Sequence, residues 1–88
     1  MRDILAPART AATELRQLFD PTPLQRNDHL SLRYGAEIWL KREDLTPVRS
    51  YKIRGAFNAM RRVLAQAPDQ DTFVCASAGN HAQGVAFA

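Results

Sequence analysis

Apolar residues recur at helical spacing in two long stretches of the chain. Ile4, Leu5, Ala8, Ala11, Ala12, Leu15, Leu18 and Phe19 predict an amphipathic packing helix, with Asp3 as its cap and Pro7 tolerated in the first turn. Ile53, Ala56, Phe57, Met60 and Leu64 predict a second helix with one buried stripe, ending near Gln66, with Ser50 just ahead of it as N-cap. Leu24, Leu30, Leu32 and Tyr34 suggest a short helix over residues 25–34, ended by Gly35 in the left-handed conformation. Between these lie two runs with strand character, Glu37–Lys41 and Thr72–Ala76. Both are mostly apolar and are therefore expected inside a sheet. Asp20-Pro21-Thr22-Pro23 and Ala67–Asp71 break the pattern, and a last helix opens after Ser77–His81. Strand, helix, strand in that order favours parallel pairing, so the expected fold class is α/β with an open, mostly parallel sheet flanked by helices.

Lys52 falls in the first turn of the second helix. Positive potential from the aligned peptide dipoles disfavours an ammonium there and favours a neutral amine, which is a nucleophile. The alternative is a solvated surface lysine. Ser77-Ala78-Gly79-Asn80-His81 lies where a strand gives way to a helix, the corner at which open α/β sheets bind ligands. Free backbone N–H groups suit an anion there, and Gly79 permits close approach. Read without context, the same residues are only a strand–turn–helix corner. No Gly-Lys-Ser/Thr follows, which rejects a nucleotide P-loop. With parallel strands, the Lys52 corner and the 77–81 corner face the same side of the sheet. One can then hold an aldehyde cofactor while the other takes an amino acid's carboxylate. Glu43 and Asp44 are adjacent acids in a loop, expected to cap a helix or pair with arginines, and receive no catalytic role. Cys75 reads as a small buried hydrophobe. Cys75 and His81 cannot build a structural zinc site, so no metal is expected.

Composition narrows the class. With 88 residues, 45% hydrophobic and 24% charged, this is ordinary globular material. No apolar run is long enough to span a bilayer. Met1-Arg2-Asp3-Ile4 shows no secretory signal, and a lone cysteine fits a reducing cytoplasm. The net charge of +3 comes from dispersed arginines. Arg54 and Arg61 share a helical face, but Lys52 and Arg62 point elsewhere and stacking aromatics are absent, which argues against a nucleic-acid binder.

The segment from Lys41 to Ala56, KREDLTPVRSYKIRGA, resembles the cofactor-lysine segment of the serine/threonine dehydratases, pyridoxal phosphate (PLP) enzymes of the tryptophan-synthase-β fold type. Thr22-Pro23-Leu24 resembles the family's TPL element, although a Pro-rich elbow is also ordinary punctuation. Ser77–Gly84 resembles its SxGNHxQG loop. Three motifs in family order cover about residues 22–88, with the greatest likeness to the biosynthetic threonine-specific branch. The resemblance implies a three-layer, fold-type II architecture, of which residues 1–88 form a truncated N-terminal part of the catalytic domain. It implies PLP-dependent deamination of L-threonine to 2-oxobutanoate and ammonia, the first step of isoleucine biosynthesis, by a cytoplasmic homo-oligomer. Lys52 matches the lysine that holds PLP as a Schiff base and then removes the Cα proton. Asn80 matches the asparagine bonded to the cofactor's ring hydroxyl, and Tyr51 stands where many members carry Phe beside the ring. Ser77, Gly79, Asn80 and His81 match positions around the substrate carboxylate. Racemase members have a serine where this chain has Ala78, so elimination without racemisation is implied. The phosphate loop, the partner of the pyridine nitrogen and any regulatory domain would lie beyond Ala88, so residues 1–88 alone are expected to be inactive. Serine dehydratase or serine racemase chemistry on the same fold, and a non-catalytic anion-binding module, are the alternatives.

Overall fold

The computed structural model describes residues 2–88. Met1, in the segment read above as carrying no secretory signal, lies outside them. Helix α1 spans Leu5–Leu15, strand β1 Leu24–Arg26, helix α2 Asp28–Tyr34, strand β2 Trp39–Lys41, helix α3 Lys52–Gln66 and helix α4 Asn80–Phe87. A single 3-10 turn, Glu43–Leu45, separates β2 from α3.

Local chemistry accounts for most boundaries. The N-cap position of α1 is Ile4, so Asp3, predicted as the cap, stands one residue earlier, where its carboxylate accepts from the Leu5 N–H at 2.9 Å. The chain continues past Leu15 as turns, with Phe19 N–H bonding back to the Leu15 carbonyl at 3.1 Å. Phe19 thus stays near α1 without belonging to it. Asn27 caps α2, its side chain accepting from the Leu30 N–H at 2.8 Å. Gly35 ends α2 at φ 60°, a conformation in which a side chain would be strained.

Sheet structure departs from expectation in three ways. Residues 25 and 26, placed above at the start of a helix, instead join Leu24 in a strand paired antiparallel to β2, with Leu24 opposite Lys41 and Arg26 opposite Trp39. β2 covers only Trp39–Lys41 of the predicted run and is exposed along its length, so it is a ribbon edge and not the interior of a sheet. Residues 72–76 form no ladder with any described residue. Val74 is 92% exposed and Cys75 is exposed as well, which corrects the reading of that cysteine as buried. The physical reason is common to the last two. An apolar run needs a neighbour to become an inner strand, and among the described residues neither 37–41 nor 72–76 has one to pair with in parallel.

The core is small, comprising Leu15, Ile53 and Ala56, with Ile53 fully buried. α3 packs on both α1 and α4. The second contact is very close. A Cβ on Gly84 would sit 3.1 Å from the Ile53 nitrogen and from the Lys52 carbonyl carbon and oxygen, so only glycine lets α4 lie on the first turn of α3.

Candidate active site

Lys52 is the first residue of α3 and is half-buried, with its Nζ 5.2 Å from the centroid of the exposed Tyr51 ring. Ser50 does not cap the helix. Its backbone is held instead by Thr46, whose buried hydroxyl donates to the Ser50 carbonyl at 2.7 Å and accepts from the Ser50 N–H at 3.0 Å. This pinch bends the loop tightly enough to put Arg49 at φ 63°, a strained conformation for a side-chain-bearing residue. It also leaves the Ser50 Oγ buried with no hydrogen-bond partner. A strained residue and an unsatisfied hydroxyl just before the candidate lysine are features that functional sites tolerate and purely structural loops avoid.

The other predicted residues are gathered at the start of α4. Asn80 opens that helix, preceded by Gly79, whose N–H donates to the Ser77 hydroxyl oxygen at 3.2 Å. Ser77, Gly79, Asn80 and His81 are all exposed. Nothing lies within 4 Å of a Cβ built on Gly79, so the chain's own packing makes no demand for glycine there. Asn80 stands four residues before Gly84, on the same helical face and about 6 Å along the axis from the Lys52 backbone contact. The α3–α4 packing therefore sets the Lys52 backbone against Gly84 in the middle of α4, without the parallel strands from which a meeting of the two corners was argued. His81, with Val85, also lines an apolar cavity of about 200 Å³, bounded by Ala56, Met60 and Cys75 among others.

One part of the site was not anticipated. Arg54 Nε and Nη2 donate to the two oxygens of Glu43 at 2.6 and 2.9 Å, and Nη2 also reaches the Thr22 hydroxyl at 3.3 Å. That hydroxyl donates to Glu43 Oε1, and Lys41 Nζ donates to the Thr22 carbonyl. The guanidinium also lies 5.4 Å from the Phe19 ring centroid. Arg54 hydrogen bonding, against the opposing effect of burial and with help from Thr22 and the charges of Arg54 and Lys41, lowers the Glu43 carboxyl from 4.5 to about 2. Its neighbour Asp44 pairs with Arg42 at 2.8 Å on the surface. Pairing of both acids with arginines agrees with the sequence reading; what that reading lacked was the partner. A signal was available, since an arginine in a helix's first turn is unfavourable unless a carboxylate compensates it.

Residues 15–88 match the family described as "Pyridoxal-phosphate dependent enzyme". The chain is 62% identical over 66 residues to the L-threonine dehydratase biosynthetic IlvA of Bacillus subtilis (strain 168), covering 75% of this chain and 15% of that protein. It is 53% identical over 81 residues to the protein of the same name from Mycobacterium leprae (strain TN), covering 89% and 18%. For Corynebacterium glutamicum the figures are 52% over 82 residues, covering 93% and 19%. The chain thus spans less than a fifth of the length of these curated relatives. No solved structure matches the chain significantly. With the family match running from the end of α1 through the lysine helix to the Asn80 corner, the chain belongs to the pyridoxal-phosphate dependent enzymes.

Proposed function

We propose that this chain supplies the lysine and one wall of the active site in a longer enzyme that deaminates L-threonine to 2-oxobutanoate and ammonia. On this reading residues 1–88 are the N-terminal part of its catalytic domain. The chain's exposed apolar runs would be completed by residues outside it into a three-layer, mostly parallel sheet. The observation that carries the proposal is the half-buried Lys52 at the head of α3, its backbone seated against Gly84 of α4, in a segment about half or more identical to named threonine dehydratases. The unpartnered Ser50 hydroxyl beside it and the open space at Gly79 fit a polar ligand between the two corners.

When bound, pyridoxal phosphate supplies an electron sink for the charge left on the substrate's Cα. Lys52 is the residue that would hold the cofactor through its aldehyde, and its amine would accept the proton from the substrate's Cα. Tyr51 would flank the cofactor ring, and Asn80, about one helical turn before the Gly84 contact with Lys52, would donate its amide to the ring hydroxyl. Ser77, Gly79, Asn80 and His81 receive the substrate carboxylate at the positive end of α4. Ala78 offers no hydroxyl for proton return on the opposite face, which favours elimination over racemisation. On this reading the longer enzyme is a cytoplasmic homo-oligomer acting in isoleucine synthesis.

Borohydride reduction of the full-length protein with PLP, followed by peptide mapping, should place the pyridoxyl label on Lys52. K52A should lose at least about a thousandfold in threonine turnover. A label on another lysine would refute the assignment, and relative kcat/KM on L-threonine, L-serine and D-serine decides the substrate.

A further inference from the structure

We infer that Thr22, Glu43 and Arg54 form a positioning clamp that fixes where Lys52 stands; the inference rests on the proposed role of that lysine. Helix α3 begins without a side-chain cap, because Ser50 has its backbone engaged by Thr46 and its hydroxyl turned to no partner. An uncapped helix start frays, and a fraying start would leave its first residue without a defined direction.

The clamp supplies what the cap does not. Arg54 is two residues after Lys52 and in the same turn, its N–H bonded to the Tyr51 carbonyl at 3.0 Å. Its planar fork meets both Glu43 oxygens, which restricts rotation of α3 as well as sliding along its axis. Glu43 is itself fixed by the Thr22 hydroxyl, and Thr22 is 7% exposed and tied through its carbonyl to Lys41 at the end of β2. Three segments distant in sequence therefore converge on one turn of helix. Residues two apart on a helix point about 200° away from each other, so the clamp acts on Lys52 through the backbone and not by contact. Misplacement of a reacting group by about 1 Å can cost about a hundredfold in rate.

The test uses the full-length apo-protein and reads the rate at which Lys52 becomes reducible by borohydride after PLP is added, measured as pyridoxyl peptide, beside the apo-protein's melting temperature. E43Q keeps the shape of the carboxylate, and R54K keeps the charge without the fork. Each should slow labelling of Lys52 about 10- to 100-fold, while the melting temperature falls by no more than several degrees. D44N, which breaks the neighbouring surface pair with Arg42, should label within about twofold of wild type. Should E43Q fold poorly, T22V removes a single hydroxyl and is expected to slow labelling at least about threefold. Labelling at the wild-type rate in these variants, or slowed only in proportion to the unfolded fraction, overturns the clamp. Absence of label from Lys52 in the wild type overturns the reading of the lysine, and the clamp with it.

Discussion

Among the described glycines, Gly84 alone has other atoms standing where a side chain would go. Its missing side chain is what allows α4 to rest on the backbone of Lys52 and Ile53, and the atoms at 3.1 Å are main-chain atoms that cannot swing aside. G84A should therefore push the two helices apart, destabilising the full-length protein by about 1–3 kcal/mol in denaturant titration and lowering pyridoxyl labelling of Lys52 along with it. Unchanged stability would mean that α4 does not bear on α3 at this point. The loop before the lysine is constrained in another way: Thr46 holds both backbone groups of Ser50, and the result is a left-handed Arg49 and an idle Ser50 hydroxyl. Ser50 has the composition of an N-cap, but the neighbouring threonine decides what its backbone does.

The junction between the β1–β2 ribbon and the start of α3 is electrostatic. Glu43 is 19% and Arg54 35% exposed, so their pair is only partly screened by water. Because the folded carboxyl titrates near 2 and its ordinary value is 4.5, the pair's stabilisation is fully present above about pH 4.5 and is lost as pH falls through about 2. Arg54, raised by the same partner, stays charged throughout that range. After discounting for screening, E43Q should cost about 1–2 kcal/mol of unfolding free energy near neutral pH, and the difference from wild type should shrink steadily toward about pH 2. A wild-type minus E43Q difference that does not change with pH would show that Glu43 is not ionised by its partner.

The described residues extend 53 × 34 × 25 Å with a radius of gyration of 16.1 Å, whereas a compact domain of this length has about 12 Å. Trp39 is 51% exposed and Leu32 87%, and among the described residues three hydrophobic side chains form the core. So little burial cannot offset the entropy of ordering the chain. The isolated 88-residue chain should bind the dye ANS and show no cooperative thermal transition by near-UV circular dichroism. A sharp transition with calorimetric and van't Hoff enthalpies in agreement would show that it folds alone.

Periodicity was enough to find α1 and α3, the αL ending at Gly35 and the lysine at the head of a helix, because each depends on residues within a turn or two of one another. The motifs around Lys52 and Asn80 were legible for the same reason. Strand pairing was not, since an apolar run such as Thr72–Ala76 records a preference for burial without naming the neighbour that buries it. Leu24–Arg26 became a strand only because the chain returned to place Trp39–Lys41 beside it. Tertiary packing alone joined Thr22 and Glu43 to Arg54 and set Gly84 on Lys52. Those contacts are between residues 11 to 32 positions apart, a range over which local propensity carries no information.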